Sequence, residues 1–406
     1  MKKKLVSIAL AGAMALSLVA CGSSNGGAAT GENGLAVAPT EDGSLKGTFT
    51  LGMIGPLTGG AALYGQAVTD GAVIAVDEIN AIDAGFQFNY IPMDDEHDAE
   101  KSVNAYNQLK DKKVKAIVGC VTSTPCAAVS TEGYADRIFM LTPSASSTAV
   151  TEDKDQTYQL CFSDPNQGLA SAQYIADNKL AKKVAVIYKN DDNYSTGIYQ
   201  TFKNKAAEVG LELVCEKTFM DGQDTDFTVQ LTEAQNAGAE LVFLPIYYTP
   251  ASLILKQADT MGYAPTFFGV DGMDGILDIE GFDTSLAEGV LLLTPFSADA
   301  TDDLTVKFVG KYEEKTGTTP IQFAADGYDC PYAIYEALKF YANENGGLDV
   351  DKLSTEQVCD ILIYVFSNPD FSVDGVTGDN MTWTANGEVN KAPKAVVIKD
   401  GAYVGF

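Results

Sequence analysis

The stretch of residues 48–80, TFTLGMIGPLTGGAALYGQAVTDGAVIAVDEIN, carries the pattern of a β-strand, a loop and an α-helix in succession. Apolar residues alternate from Phe49 to Met53, a Gly-Pro pair breaks the pattern, and apolar residues recur at helical spacing from Ala67 to Ile79. A loop that leaves a strand and enters a helix exposes unpaired backbone N–H groups, which favour anions such as a carboxylate. Tyr64, just before this helix, is placed to form a wall of a pocket.

The same alternation of strand-length apolar runs and helical patterns continues along nearly the whole chain. It predicts an α/β fold with parallel sheets that are covered by helices on both faces. The predicted strands are 49–54, 86–93, 116–119, 139–141, 184–188, 212–218, 241–245, 266–269 and 289–293, with a further strand segment at 382–403. The predicted helices are 65–82, 98–111, 124–135, 167–179, 194–209, 225–237, 250–261, 301–316, 324–344 and 354–366.

Two lobes are expected from the length of the chain. About 360 residues follow Leu45, which exceeds the ~250–300 residues at which a single hydrophobic core stops growing. Open α/β sheets bind ligands at the C-terminal ends of their strands. The sequence therefore predicts a ligand site between the two lobes.

The N-terminus has the pattern of an export signal. Three lysines precede an apolar run over residues 5–20, which is shorter than the ~20 residues needed to cross a bilayer, so residues 1–20 are predicted to be a signal peptide. Cys21 directly follows Leu-Val-Ala, which resembles the bacterial lipobox and implies acylation of Cys21; a plain secretory signal with an incidental cysteine is the alternative. Residues 21–45 are rich in Gly, Ser, Ala and Asn and are predicted to be a flexible tether.

Charge and cysteine content narrow the range of partners. The net charge of −28 disfavours nucleic acid and anionic lipid as partners. The six cysteines other than Cys21 match no zinc spacing. Cys120 and Cys126 flank one loop, so the pattern permits either a disulfide in an oxidising exterior or six reduced, buried thiols.

An enzyme finds little support in the sequence. His97 is the only histidine, which disfavours a Ser-His-Asp hydrolase and a multi-histidine metal centre. There is no GxSxG motif, no P-loop and no GxGxxG motif after a strand. Catalysis by a carboxylate pair stays open, although no pair stands out. Asp98 in the acidic cluster 94–98 is predicted to cap a helix, so neither a metal nor a cofactor is expected.

Two hydroxyl-rich loops are the strongest candidates for ligand contacts. Residues 119–124 (GCVTST) and 142–148 (TPSASST) each follow an apolar strand and precede a helix. Ser and Thr also cap many helices, so each loop alone is weak evidence. Arg137, the only arginine, lies between a helix and a strand, where a role at the helix end is expected rather than a contact with a ligand carboxylate.

Several motifs together resemble the branched-chain amino-acid-binding family, the type I solute-binding proteins of ABC importers. They are IGPLTG, ALYGQAV, GAVIAVDEIN and DDEHDAEKSVNAYNQL, between residues 54 and 109. The resemblance extends from about Leu45 to the C-terminus. It implies a two-lobed type I periplasmic-binding-protein fold, in which each lobe is a three-layer sandwich with a parallel sheet and the chain crosses between the lobes three times.

The resemblance and the pattern breaks together predict the extent of each lobe. The first series of strands and helices ends near residue 163, the second near residue 295, and the last change of pattern begins near residue 372. Residues 46–163 and 296–372 are predicted to form the N-terminal lobe. Residues 164–295 and 373–406 are predicted to form the C-terminal lobe.

The resemblance also implies roles for single residues in the first lobe. Ser123 corresponds to the family's hydroxyl donor to the ligand carboxylate. Ser144 corresponds to a backbone contact, Ser146 to a contact through both hydroxyl and N–H, and Ala145 lies between them in the same ligand loop. Tyr64 is also expected to face the ligand.

In the second lobe, Asp271 matches the family's carboxylate that pairs with the ligand ammonium, although an Asx-turn or a helix cap is an alternative role for it. Tyr194 and Tyr247 resemble positions that face the ligand, whereas Tyr248 is expected to pack against its own lobe. Two first-lobe residues, Phe323 and Tyr328, are expected to add an apolar wall.

The function that the resemblance implies is an extracytoplasmic solute-binding lipoprotein, monomeric and anchored to the bacterial membrane through Cys21. It would capture an amino acid, branched-chain or otherwise apolar, and deliver it to the permease of an ABC importer. One alternative is the ligand-binding component of a sensor that acts through a separate signalling partner. Another is a different ligand, such as an amide, an aromatic acid or a short peptide.

Overall fold

Two β-sheets organise the part of the chain that the computed structural model describes, residues 29–31 and 33–405. The strands are β1 (Ala29–Thr30), β2 (Ala36–Val37), β3 (Leu45–Gly55), β4 (Phe86–Asp94), β5 (Ala116–Gly119), β6 (Phe139–Thr142), β7 (Thr157–Gln159), β8 (Lys183–Lys189), β9 (Glu212–Phe219), β10 (Leu241–Leu244), β11 (Thr266–Gly269), β12 (Leu291–Thr294), β13 (Leu348–Asp349), β14 (Val373–Gly375), β15 (Gly378–Met381), β16 (Lys394–Lys399) and β17 (Ala402–Gly405).

Helices cover both sheets. They are α1 (Ala62–Ile82), α2 (Ala99–Asp111), α3 (Ser123–Asp136), α4 (Asp164–Asp177), α5 (Asn193–Val209), α6 (Thr228–Asn236), α7 (Tyr248–Thr260), α8 (Asp303–Thr316), α9 (Gln322–Asn345) and α10 (Thr355–Phe366). Within residues 29–31 and 33–405, no helix combines the length and the apolar character needed to cross a membrane.

The first sheet contains β3–β7 and β13, and all of its strand pairs are parallel. The alternating apolar residues of β3 explain its two covered faces. Met53 packs in the core that α1 and α9 share with the sheet, whereas the next residue, Ile54, packs against α2 and α3 on the opposite face. Both side chains are fully buried, as expected for a central parallel strand.

The second sheet has the strand order β17-β16-β12-β11-β10-β8-β9. The strands β8–β12 pair in parallel, and β16 and β17 add an antiparallel edge. The chain therefore passes between the two sheets three times: between β7 and β8, between β12 and β13, and between β15 and β16. Loops at the C-terminal ends of the parallel strands of both sheets meet in the cleft between them.

The α/β class, the nine predicted strands before residue 300 and all ten predicted helices are confirmed, with boundary differences of a few residues. In the segment 382–403, only β16 and the start of β17 are strands. The strands β7, β13, β14 and β15 were not predicted. Each is two to four residues long, which is too short for an alternating pattern to stand out.

The prediction of a flexible tether over residues 21–45 is wrong for its last ten residues. Residues 21–28 and residue 32 lie outside the described residues. The carbonyl of Ala36 accepts a hydrogen bond from the Tyr341 hydroxyl of α9 (3.0 Å), and Asp349 N donates to the carbonyl of Ala38 (2.8 Å). The short apolar run at 35–38 is long enough to cover the C-terminal end of α9, although it shows no periodicity.

The segment 373–391 contacts the first sheet and its helices, whereas it was predicted to belong to the C-terminal lobe. Asp329 of α9 accepts hydrogen bonds from two N–H groups of the β14–β15 turn (2.9 and 3.0 Å), and Trp383 Nε1 donates to Gln159 O of β7 (2.8 Å). The Trp383 ring also packs on Phe366 of α10. These partners lie far away in sequence, so a linear pattern does not reveal them.

Glycines allow α1 and α9 to pack closely. A Cβ atom at Gly71 of α1 would lie 1.9 Å from the carbonyl oxygen of Ala324, and a Cβ atom at Gly327 of α9 would lie 2.3 Å from the carbonyl oxygen of Val68. Both distances are far below van der Waals contact. The approach of the two helices therefore requires glycine at both positions, and it fixes the N-terminal end of α9 beside the cleft.

Replacement of Gly71 by Ala is expected to lower the free energy of unfolding by about 1–3 kcal/mol, because the added methyl group must push the two helices apart. Urea denaturation measures the change. Gly310→Ala is the matched control, since Gly310 lies on the exposed surface of α8 with no atom within 4 Å of the added Cβ. This control is expected to raise stability by about 0.5–1 kcal/mol. Equal effects of the two substitutions would contradict the close packing.

Candidate functional site

Side chains from both lobes converge at the C-terminal edges of the two parallel sheets. Tyr64, Ser123 and Ser146 come from the first lobe, and Tyr194 and Asp271 come from the second. All five are nearly fully buried in the described structure. The cleft is therefore closed, and these five residues lie inside it.

The turn after β5 places Ser123 at the first position of α3. Gly119 adopts φ +116°, and a Cβ atom there would lie 2.4 Å from Ile54 O, so only glycine fits this turn. The cap residue Thr122 makes no side-chain hydrogen bond to the helix; its hydroxyl lies 2.9 Å from His97 Nδ1 instead. The first turn of α3 therefore has no side-chain cap, which suits the binding of an anion.

The loop after β6 is held in place by its own hydroxyl groups. Thr142 Oγ1 accepts hydrogen bonds from the N–H groups of Ala145 (2.8 Å) and Ser144 (3.3 Å), and the Ser144 hydroxyl donates to Val121 O (2.7 Å). Ser123 Oγ accepts from Ser147 N (3.2 Å), which leaves the hydroxyl proton of Ser123 free to donate. The two hydroxyl-rich loops thus form one rigid unit.

Ala145 was predicted to contact the ligand, but it does not face the cleft. Its side chain is fully buried in the core beside α2 and α3, and its N–H is bonded to Thr142. Ser144 was predicted to supply a backbone contact, but its N–H likewise donates to Thr142 Oγ1 (3.3 Å), and its hydroxyl joins the two loops. The physical reason is the tight turn after β6, in which Thr142 binds the N–H groups of both residues; a sequence position within the loop does not reveal this.

Gln167 of α4 connects the two sides of the cleft. Its Nε2 donates to Ser146 Oγ (3.4 Å), and its Oε1 accepts from Asp271 N (3.2 Å). Ser146 O also accepts a hydrogen bond from Asp164 N (2.9 Å), at the first residue of α4. A single side chain therefore joins Ser146 to Asp271.

Tyrosines surround the acidic group. The Tyr194 hydroxyl donates to Asp271 Oδ1 (2.6 Å) and accepts from Gly272 N (2.9 Å), and the Tyr194 ring stacks on Tyr247 with a centroid distance of 4.7 Å. From the first lobe, the Tyr64 hydroxyl donates to Gly272 O and accepts from Tyr248 N (3.2 Å). A Cβ atom at Gly272 would lie 2.5 Å from the Tyr194 oxygen, so glycine is required there.

Burial raises the pKa of two carboxyl groups in the cleft. It raises the pKa of Asp271 to about 6, although hydrogen bonds from Tyr194 and Gln167 oppose the rise. Burial also raises the pKa of Asp164 well above its usual value, opposed by the adjacent Ser146 hydroxyl. Neither oxygen of Asp164 nor the hydroxyl of Tyr247 has a hydrogen-bond partner of ordinary geometry among the described residues. Both groups are therefore available to a polar ligand.

Three aromatic residues behave differently from one another. Tyr248 was expected to pack against its own lobe, which is wrong: its ring lies 4.7 Å from that of Tyr64, and its hydroxyl accepts from Leu63 N (3.3 Å) across the cleft. Phe323 does form a wall, since its ring lies 4.1 Å from that of Tyr64. Tyr328 does not, because its hydroxyl donates to Glu78 Oε2 (2.7 Å) at the α1–α9 contact.

Sequence reasoning missed three polar residues that lie at the cleft: Asp164, Gln167 and Gln322. The Gln322 side chain donates to Asp271 O (2.8 Å) from the N-terminus of α9. Each residue lies in the first turns of a helix, where the sequence suggests only capping or solvent contact. For Asp164 and Gln167, a position next to the predicted lobe crossing near residue 163 was the one available signal, and no such signal exists for Gln322. Arg137, as expected, lies elsewhere and pairs with Asp155 (2.6 Å) and Asp360 (2.8 Å).

A family model described as periplasmic binding protein matches residues 48–390. The chain belongs to this family. Its match to the leucine-, isoleucine-, valine-, threonine- and alanine-binding protein of Pseudomonas aeruginosa is 29% identical and covers 61% of this chain and 66% of that protein. Its match to a Leu/Ile/Val-binding protein homologue of Brucella melitensis is 30% identical and covers 55% of this chain and 61% of that protein. The matches thus span somewhat less than two thirds of these relatives.

Solved structures of other periplasmic binding proteins share the fold over almost their full length. The leucine-binding protein LivK of Thermotoga maritima superimposes with a TM-score of 0.77 at 26% identity, covering 88% of this chain and 97% of that one. The branched-chain amino-acid transporter substrate-binding protein LivJ of Streptococcus pneumoniae, in complex with isoleucine, superimposes with a TM-score of 0.78 at 26% identity, covering 88% and 98%. The two-lobed architecture of this periplasmic binding protein is therefore that of its family.

The protonation of Asp271 predicts a pH-dependent effect of Asp271→Asn in the ligand-free protein. The carboxyl binds its proton more tightly in the folded chain than in the unfolded chain, so its contribution to wild-type stability is lost as the pH rises from about 4 to about 6. Because the amide does not titrate, the variant should gain up to about 3 kcal/mol over wild type across this interval.

Urea denaturation at a series of pH values measures this difference between variant and wild type. Asp259→Asn, at an exposed position on α7, controls for the change in net charge and should show no such trend. A constant difference between Asp271→Asn and wild type over this pH range would mean that Asp271 is solvated in the ligand-free protein, contrary to its burial.

Proposed function

We propose that this periplasmic binding protein acts outside the cytoplasm, where it captures an amino acid with an apolar side chain and delivers it to an ABC importer. Branched-chain amino acids are the preferred candidates. The observation that supports the proposal is the burial of Ser123, Ser146 and Asp271, with Gln167 hydrogen-bonded to both Ser146 and Asp271. The names of its relatives, which include Leu/Ile/Val-binding proteins, point to the same ligand class. This role requires no catalysis.

The ligand carboxylate belongs on the first-lobe side of the gap. Ser123 has a free hydroxyl proton at the uncapped N-terminus of α3, and Ser146 presents a second hydroxyl beside it. Hydroxyl and N–H donors at a helix N-terminus stabilise an anion without a cationic partner. This arrangement fits the position of Arg137, whose guanidinium is engaged by two surface carboxylates.

The ligand ammonium belongs near Asp271. A bound ammonium would supply the positive charge that this buried carboxylate lacks, so Asp271 would ionise when the ligand binds. A zwitterion removed from water needs full hydrogen bonding to offset its desolvation. The hydroxyl groups of Tyr194 and Tyr247 supply two further partners at this end of the gap.

An aromatic wall selects for an apolar side chain. The ring of Tyr64 lies 5.7 Å from that of Tyr247 and 4.1 Å from that of Phe323. Such surfaces bury an aliphatic chain favourably and offer it no charged partner. Leucine, isoleucine and valine match this chemistry better than acidic or basic amino acids.

Closure of the lobes completes the site. In the closed cleft, Tyr64 of the first lobe bonds to Gly272 of the second, and the Thr249 hydroxyl of α7 donates to Gly60 O (2.7 Å). A ligand that contacts both lobes shifts a hinge equilibrium toward this closed state. For the lobe boundaries we propose 46–163 with 296–391, and 164–295 with 392–406, so that each sheet keeps its own helices.

The proposed anchor is an acylated Cys21, which lies outside the described residues. A second acyl chain is needed for stable membrane attachment, because one chain gives only marginal binding. We further propose that the protein acts as a monomer, with the importer permease as its protein partner. The strongly acidic composition favours solubility of the exported chain and leaves membrane attachment to the acyl group.

Replacement of Asp271 by Ala is expected to weaken leucine binding by about 2–5 kcal/mol, because the ligand ammonium then has no carboxylate partner. Ser123→Ala should cost less, about 1–3 kcal/mol, because it removes one hydrogen bond to the carboxylate. Isothermal titration calorimetry with leucine, isoleucine and valine measures both effects, with Asp259→Ala as the control. Wild-type affinity in Asp271→Ala would remove Asp271 from the site, and binding of only non-amino acids by the wild type would overturn the proposed ligand class.

Replacement of Cys21 by Ser is expected to abolish acylation and to release the exported chain from the membrane pellet into the soluble fraction. Incorporation of labelled palmitate, followed by fractionation, measures both outcomes. Ser23→Ala, two residues away, is the control and should keep both the label and the membrane attachment. A labelled Cys21→Ser chain would contradict the assignment of the anchor.

A further inference from the structure

A second cavity lies behind the cleft, where the chain passes from the second sheet to the first. Its volume is about 520 Å³, within the range of small-molecule sites. The second lobe contributes Asp274, Leu277 and Tyr403 to its walls, and the first lobe contributes Val309 of α8 and Ile321 before α9. Because both lobes line it, its shape depends on how the lobes are arranged.

Asp274 is the polar group that sets the chemistry of this cavity. Its side chain is only 5% exposed. Oδ2 accepts a hydrogen bond from Gln322 N (2.8 Å), whereas Oδ1 has no hydrogen-bond partner of ordinary geometry among the described residues. Burial raises the pKa of Asp274 to about 7, opposed by the Gln322 N–H and by the nearby Tyr403 hydroxyl. A buried carboxylate without a counter-charge is costly, so a cation here would be stabilised.

The remaining lining combines acidic, hydroxyl-bearing and apolar side chains. Asp278, Asp299 and Glu313 add carboxylates, and no Lys, Arg or His occurs among the described residues that line the cavity. The side chains of Leu277, Phe296 and others give it an apolar wall. Nowhere in residues 29–31 and 33–405 do three His, Cys, Asp or Glu side chains gather in a way that could hold a metal ion. The lining therefore favours an organic cation over a metal.

We propose that this cavity binds a small organic cation, an ammonium group on an apolar chain, with the ammonium at Asp274 and the chain against Leu277 and Phe296. This site is separate from the amino-acid site in the cleft and does not depend on the function proposed for that site. A ligand without a carboxylate suits it, since no cationic group lines the cavity to bind one.

Gln322 connects the cavity with the cleft. Its N–H donates to Asp274 and its side chain donates to the carbonyl of Asp271 (2.8 Å), so one residue contacts the acidic group of each site. Both hydrogen bonds cross between the lobes. A cation in the cavity therefore favours the lobe arrangement in which Asp274 and Gln322 are paired. By thermodynamic linkage, the cation changes the affinity of the cleft for its ligand, and that ligand changes the affinity of the cavity for the cation by the same factor.

The test uses the full chain and 3-methylbutylammonium chloride as the probe, with binding followed by calorimetry and ligand-observed NMR. The wild type is expected to bind the probe with a dissociation constant on the order of 1 mM or below. Asp274→Asn should weaken this binding at least about tenfold, because it removes the charge that faces the ammonium. Val309→Phe, which fills the cavity from α8, should weaken it independently of any effect on Asp274.

Controls separate this site from the cleft and from general charge effects. Asp259→Asn should leave probe binding unchanged, and the neutral analogue 3-methylbutan-1-ol should not bind the wild type at the same concentrations. The proposal is overturned if the wild type binds no probe, if Asp271→Asn abolishes binding while Asp274→Asn and Val309→Phe do not, or if the neutral alcohol binds equally well.

Discussion

The hydrogen bonds around the buried carboxylate of Asp271 are the interaction on which the closed molecule depends. Tyr194 binds its side chain, Gln167 binds its N–H, and Gln322 binds its carbonyl from the opposite lobe. A single acidic residue is thus joined to two helices of one lobe and, through Gln322, to α9 of the other. Any ligand that changes its ionisation changes the energy of the whole contact between the lobes.

Rigid backbone turns make this arrangement possible. Gly119 and Gly272 each occupy a place where a Cβ atom would collide with a neighbouring group, one at the start of the hydroxyl-rich loops and one beside Tyr194. The third passage between the sheets is fixed by a buried ion pair, in which Lys391 Nζ lies 3.3 Å from Asp326 Oδ1. Removing one partner of such a pair destabilises the folded protein. The ion pair therefore stabilises the position of this interlobe segment.

Buried acidic side chains lie on both sides of Gln322, so the cleft and the second cavity share a negative character. Asp164 and Asp271 lie in the cleft and Asp274 lies behind it, and burial raises the pKa of all three. Each gains from a positive group of a ligand more than a solvated carboxylate would. For this reason we propose that an ammonium group, rather than a carboxylate alone, is the feature that both the cleft and the second cavity recognise.

The sequence by itself determined the α/β class, all ten helices and the main strands, because segments such as 48–80 show a clear strand period followed by a clear helix period. The strand-to-helix pattern also picked out the two hydroxyl-rich loops, and the resemblance to the family singled out Ser123, Ser146 and Asp271. Tertiary structure decided what local pattern cannot encode. Ala145 turned into the core because Thr142 binds its N–H, and Tyr248 reached across to Tyr64 because the lobes meet there. Gln167 and Gln322 became part of the site only through contacts with residues far away in the chain.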